Sequence, residues 1–141
     1  MADSSAKPET ILVVDDDEMV LEMVVSLLNS EKFVTLKATG GQDALKVASA
    51  HVGSIDLLLS DVQMPGMTGP DLGVLLKQFR PDMRVMLMSG MPGGDLLVLN
   101  YGWAFIQKPF IPVKLVTMIN NVLHTADKSQ GSHGYDRSGM S

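Results

Sequence analysis

Apolar and polar positions follow two rhythms along this chain. The run "TILVV" at 10–14 has the β-branched content of a short buried strand. The period then changes. Met19, Val20, Met23, Val24, Leu27 and Leu28 recur as pairs four residues apart, which predicts one face of a helix within "DDDEMVLEMVVSLLNSE". "KFVTLKA" at 32–38 alternates in part, with Phe33 and Thr35 opposed to Val34 and Leu36, and predicts a second strand. "TGG" breaks it, and "QDALKVASAH" predicts a modest helix. "SIDLLLS" (54–60), "RVMLMS" (84–89) and "WAFIQK" (103–108) predict three further strands. After the third, "TGPDLGVLLKQF" carries Thr68 and Asp71 at capping-box spacing, with Pro70 in the first turn, where its missing N–H costs nothing. "PVKLVTMINNVLH" sets Val113, Val116, Ile119 and Leu123 beside Leu115, Met118 and Val122, an amphipathic last helix. "MPGGDLLVLN" (91–100) predicts a loop with one or two helical turns.

The resulting order is βαβαβαβαβα. Short apolar strands alternating with helices make an α/β fold, a parallel sheet covered on both faces. No internal repeat and no interior linker interrupts it. The expected organisation is a polar lead-in at 1–8, one domain at 9–126 and a flexible Ser/Gly-rich tail at 127–141. The 141 residues accommodate one domain with its own core.

Composition narrows the class. Hydrophobic content of 45% with 19% charged residues describes a globular chain and excludes a disordered one. A net charge of −5 argues against nucleic acid or an anionic membrane as a direct partner. The absence of cysteine excludes disulfides and thiolate metal sites and fits a reducing compartment. "MADSSAKPET" lacks the apolar core of a signal peptide, and no apolar run approaches the ~18 residues of a membrane span. The expectation is a cytoplasmic protein without membrane insertion. Methionines such as Met19, Met23, Met83, Met86 and Met88 are expected to fill the core. His51, His124 and His133 share no metal-ligand spacing and are expected at the surface. Trp103 is expected to pack, and Gly40–Gly41 to form a turn, since no phosphate-loop pattern surrounds that pair.

Candidate chemistry comes from the strand ends, because open parallel sheets build their sites beyond the carboxyl ends of the strands. Asp15, Asp16 and Asp17 follow the first strand, Asp61 the third, Ser89 closes the fourth and Lys108 the fifth. Each alone has an ordinary reading. Asp16 or Asp17 would cap a helix, Asp61 would open a turn before Pro65, Ser89 would start a loop, and Lys108 would be a solvated charge. Jointly they converge on one rim. Two carboxylates about 4 Å apart repel by roughly 4 kcal/mol at an effective dielectric near 20. Asp15, Asp16 and Asp61 together therefore call for a cation. Carboxylate oxygens without His or Cys favour Mg²⁺. A divalent cation plus Lys108 is a phosphoryl-stabilising set, beside which a carboxylate can act as nucleophile.

At these residues the chain resembles a response-regulator receiver (CheY-like) domain of two-component signalling. The resemblance covers roughly 9–126 and is carried by "ILVVDDD", "LLLSDVQMPGMTGPDL", "VMLMSG" and "AFIQKPF", in that order. The last three blocks are especially similar to receivers of hybrid histidine kinases. The resemblance implies a flavodoxin-like (βα)5 three-layer sandwich with strand order 2-1-3-4-5. It implies that Asp61 is the phosphoacceptor, taking its phosphoryl group from a histidine kinase or a histidine phosphotransfer protein. Asp15 and Asp16 match the acidic pair, Asp16 being the more direct Mg²⁺ ligand. Gln63 matches the position lending the metal a backbone carbonyl. Ser89 matches the switch hydroxyl, Lys108 the phosphoryl-contacting lysine, and Phe105 the aromatic switch position. Pro109 matches a proline that is commonly cis. Gln63 and Met91 match positions flanking the phosphoryl group and are candidate tuning residues, with Met91 expected to shield the phosphoryl group from water.

Two departures from the family pattern stand out. The stretch from Ser89 to Lys108 is about one helical turn short, so a shortened fourth helix is expected. The tail at 127–141 is expected to be too short for an output domain, so the output partner is undefined. A receiver of this kind is not an enzyme beyond its own phosphorylation and dephosphorylation. Two alternatives remain at this point. A phosphatase similar to the haloacid dehalogenase group would use the D-x-D of Asp15 and Asp17, although no acidic pair follows Lys108. A pseudo-receiver would act only as a binding module, although both Asp61 and Lys108 are present.

Overall fold

The computed structural model describes residues 7–91, 93 and 101–124. The strands β1 (Thr10–Val14), β2 (Val34–Ala38), β3 (Leu57–Asp61), β4 (Arg84–Ser89) and β5 (Ala104–Gln107) alternate with the helices α1 (Glu18–Ser30), α2 (Gly41–Ala50) and α3 (Gly69–Phe79), and α4 (Pro112–His124) follows β5. All strand pairs are parallel, in the order β2-β1-β3-β4-β5. This is the flavodoxin-like order that the resemblance implied. The expected shortened fourth helix falls on 92 and 94–100, and the expected tail on 127–141. Both lie outside the described residues.

Two apolar layers follow from the period of two along each strand. One face carries Leu12, Val14, Leu58, Val85 and Leu87, packed under α2 and α3 through Ala44, Ala48, Leu72 and Leu76. The other carries Ile11, Val13, Leu57, Leu59, Met86 and Met88, packed under α1 and α4 through Leu21, Val24, Leu28, Leu115 and Ile119. Strands β1 and β3 are buried on both faces, which explains their unbroken apolar runs.

Some local expectations shift. Strand β3 begins at Leu57 rather than at residue 54, and Asp61 is its last residue rather than the first residue of a loop. The cause is pairing: Ser60 and Asp61 lie opposite Leu87 and Met88 of β4. Asp56, just before the strand, accepts the Thr10 N–H on its side chain at 2.8 Å. Strand β2 begins at Val34, because Lys32 takes a left-handed turn with φ 75°. The largest correction concerns α1. Its buried stripe is Leu21, Val24 and Leu28, while Met19 is 83% and Met23 53% exposed. At 3.6 residues per turn these two methionines project away from Leu21 and Leu28, so they do not fill the core. Met83, Met86 and Met88 are fully buried, as expected.

Candidate functional site

The carboxyl rim of the sheet is assembled by main-chain pairing. Asp15 leaves β1 with its N–H donated to the Ala38 carbonyl of β2 at 3.2 Å, and its side chain is fully buried. Its Oδ1 accepts the Asp17 N–H at 2.8 Å. Asp17 in turn is the N-cap of α1, accepting from Met19 and Val20. That leaves Asp16 exposed and free to face the rim. Asp61 ends β3 and is largely buried. The Lys108 N–H donates to the Ser89 carbonyl at 2.8 Å, which fixes where β5 releases its side chain beside β4. The Lys108–Pro109 bond is cis, as the resemblance implied.

These strand ends bring the predicted residues together. Lys108 Nζ lies 2.7 Å from Asp15 Oδ2 and 3.4 Å from Asp61 Oδ2. One carboxylate oxygen from each of Asp15, Asp16 and Asp61 lies within 4.8 Å of the others. Three carboxylates thus face one lysine. Burial pushes the Asp61 carboxyl above its ordinary range. Lys108 pulls it down, Asp15 pushes it further up, and the Gln63 backbone N–H hydrogen bond pulls down again. Burial alone would lower Lys108, but the Asp15 hydrogen bond and the charges of Asp61 and Asp15 prevail and hold it above its usual value.

The remaining predicted residues frame this cluster. Ser89 is buried at the end of β4, and its Oγ accepts the Met91 N–H at 3.1 Å. Met91 is 49% exposed at the rim. Gln63 is exposed, and it is its N–H that reaches the Asp61 carboxylate. Phe105 lies lower on β5, opposite Leu87, packed on the α3 side of the sheet. It is therefore beneath the cluster, not part of it.

Sequence reasoning passed over the glycines that allow this packing. A Cβ on Gly69 would sit 2.3 Å from the Asp61 carbonyl oxygen, so only glycine lets α3 start against the main chain of Asp61. A Cβ on Gly41 would meet Met67 at 2.6 Å, so the loop after Asp61 is seated on the start of α2. The signal for Gly69 was in "TGPD", a glycine where a helix begins; Gly41, expected in a turn with Gly40, is instead the first residue of α2, with Gly40 as its N-cap. The loop is tied at both ends, with Val62 N–H on the Met88 carbonyl and Gly69 N–H on the Val62 carbonyl. Thr68 caps α3 through the Asp71 N–H at 3.1 Å, as its spacing predicted.

An all-oxygen donor set with one oxygen from each of three carboxylates, two of them buried and one exposed, fits a hard divalent cation. Asp17, committed to its cap, does not join Asp15 in a D-x-D site.

Comparison with known proteins agrees with this geometry. The family model for the response regulator receiver domain matches residues 11–120. The sensor kinase CckA of Brucella abortus is 31% identical over 121 residues, covering 84% of this chain but 13% of that kinase. The response regulator SaeR of Staphylococcus epidermidis is 28% identical over 126 residues, 87% of this chain and 54% of that protein. The chain thus spans from about an eighth to about half of the length of these curated relatives. Among solved structures, the receiver domain of the hybrid histidine kinase CckA superposes with a TM-score of 0.71 at 32% identity, covering 82% of this chain and 99% of that one. A CheY-like receiver domain protein from Methanospirillum hungatei gives 0.76 at 27% identity, covering 87% and 99%.

Proposed function

The chain belongs to the response regulator receiver domain family of two-component systems, and from that premise we propose that it accepts a phosphoryl group on Asp61 from a phosphohistidine. The observation that carries this reading is the Lys108 ammonium bridging Asp15 and Asp61 beside the exposed Asp16. In the transfer, an Asp61 carboxylate oxygen attacks phosphorus as the P–N bond to the donor imidazole breaks. The donor ring carries a proton on its other nitrogen, so the bond pair stays with the imidazole and it leaves as neutral histidine. Lys108 turns its ammonium to a phosphoryl oxygen, and the Ser89 hydroxyl donates to another once it releases the Met91 N–H. Asp15, Asp16, Asp61 and the Gln63 main-chain carbonyl would hold Mg²⁺, which when bound supplies positive charge to the transferring group. Phe105 follows Ser89 in the conformational switch. The protein is then not an enzyme toward other substrates.

A phosphodonor protein, a histidine kinase or phosphotransfer protein, is the proposed partner. The exposed Met19, Met23, Ile111 and Val113, on α1 and at the start of α4, flank the rim and offer it an apolar contact. Among the described residues no helix is long and apolar enough to cross a membrane. Together with the absence of cysteine this supports work in the cytoplasm, and the net charge of −5 supports the lack of direct nucleic-acid contact.

Incubation with Mg²⁺ and acetyl phosphate, followed by intact mass measurement, tests the reading. One alkali-labile phosphoryl group per chain is expected, absent in Asp61→Asn. Retention in Asp61→Asn with loss in Asp15→Asn would favour the phosphatase, and no adduct with any donor would favour a binding module. Met91 is proposed to shield the acyl phosphate. Met91→Asp should shorten its half-life, and an unchanged half-life rejects that role.

A further inference from the structure

A column of side chains leads away from the site along the α3 side of β4 and β5. Val85, Leu87 and Ser89 alternate onto this face of β4, with Phe105 opposite Leu87 and Ser89 opposite Gln107. Trp103, two residues before Phe105, shares its face and packs in the same apolar layer. Its indole occupies a notch that exists because residue 73 of α3 has no side chain. A Cβ there would lie 2.9 Å from Trp103 Cη2 and Cζ3, and 3.5 Å from Val85 Cγ1. Outside it, the Tyr101 ring stacks on Trp103 with centroids 4.6 Å apart and planes 19° from parallel, and Tyr101 is exposed.

We propose that Trp103 is a third member of the switch, a positioning residue that carries the Ser89 and Phe105 rearrangement to the Tyr101 surface and, through the Gly73 notch, to α3. The proposal deepens the receiver reading of Asp61 and rests on it. Packed interiors move between discrete arrangements rather than deforming smoothly. A Phe105 that shifts along this face moves toward Trp103, which is held between the notch and Tyr101. A rigid indole in a glycine notch is a tight fit, so a small displacement changes its surroundings sharply.

Trp103 is the only tryptophan in the chain, so its emission reports on the column directly. Five residues of extended chain place it about 16 Å along β5 from Lys108, too far for direct contact with a phosphoryl group. The intact protein is treated with Mg²⁺ and acetyl phosphate while emission and intact mass are followed in the same sample. A saturable change in Trp103 emission that rises and decays with the phosphoryl adduct is expected. An adduct at full occupancy with unchanged emission overturns the proposal and leaves the receiver reading standing. No adduct overturns both. Gly73→Ala, which forces the indole out of its notch, should form the adduct with a changed half-life and lose the linked emission change, since the displaced indole alters what Phe105 moves against. If Gly73→Ala keeps the wild-type emission response and adduct half-life, the notch is only packing. Should that variant not fold, the wild-type emission experiment decides alone.

Discussion

The two rims of the sheet use their charged residues in opposite ways. At the amino rim, charges are tied to the backbone or paired off. Arg80 donates to the carbonyls of Gly53, Ala48 and His51, joining α3 to the end of α2. Lys77 donates to the carbonyls of Pro81 and Met83, and Arg84 reaches the Val122 carbonyl of α4. Asp56 accepts from Thr10, and Glu9 pairs with His124 at 2.6 Å. At the carboxyl rim, three carboxylates face one lysine, and two of the three are buried. Charges that satisfy orphan carbonyls hold a fold together. Like charges gathered in a buried cluster cost stability and persist where a ligand repays it.

That contrast can be broken in several ways. The largest effect is expected at the site. Saturating Mg²⁺ should stabilise the wild type by about 2.7 kcal/mol at one hundred times its dissociation constant. Asp16→Asn should lose most of that gain while unfolding normally in EDTA, as read by urea denaturation. A variant that keeps the full gain would remove Asp16 from the metal set. Next, Arg80→Ala should cost about 2 kcal/mol, because the half-buried hydrogen bonds to the Ala48 and His51 carbonyls, and the exposed one to Gly53, lose their charged donor. Its phosphoryl adduct should form as in the wild type, and a defect in adduct formation with normal stability would contradict the division of labour. Thr68→Ala should cost about 1 kcal/mol, the worth of a helix N-cap. It sharpens the comparison, because Thr68 is a structural group at the functional rim.

The smallest effect is in pH dependence. The Asp61 carboxyl titrates higher in the folded state than when unfolded, so across that window the folded protein binds more protons. Stability from this group therefore falls as pH rises from the ordinary carboxylate value to the raised one, and then levels off. Without divalent metal, Asp61→Asn should gain on the wild type over that window and hold its advantage at neutral pH. Equal curves would mean that Lys108 fully compensates the buried charge.

Much of this protein is legible locally. Strand runs buried on both faces, the helix periods, the Thr68 cap and the Pro70 turn all rest on interactions within a few residues, so β1, β4, α3 and α4 lie close to where the patterns put them. The strand-end acids and Lys108 are also visible, since a parallel fold returns every carboxyl end to one rim. Other features depend on partners far along the chain. Asp61 became a strand residue because β4 pairs with it. Met19 and Met23 match a helical period yet face outward, since periodicity defines a stripe and packing chooses which edge of it is covered. Asp15, Asp16 and Asp17 read alike in sequence. Three-dimensional contacts alone made one a buried partner of Lys108, one an exposed ligand candidate and one a helix cap. Asp15 and Lys108 stand 93 positions apart, and nothing local to either records a 2.7 Å ion pair, nor does Gly73 record the indole that fills its notch. Local order follows from short-range sterics and hydrogen bonding; these contacts exist only after the sheet has closed its long loops and the layers have packed.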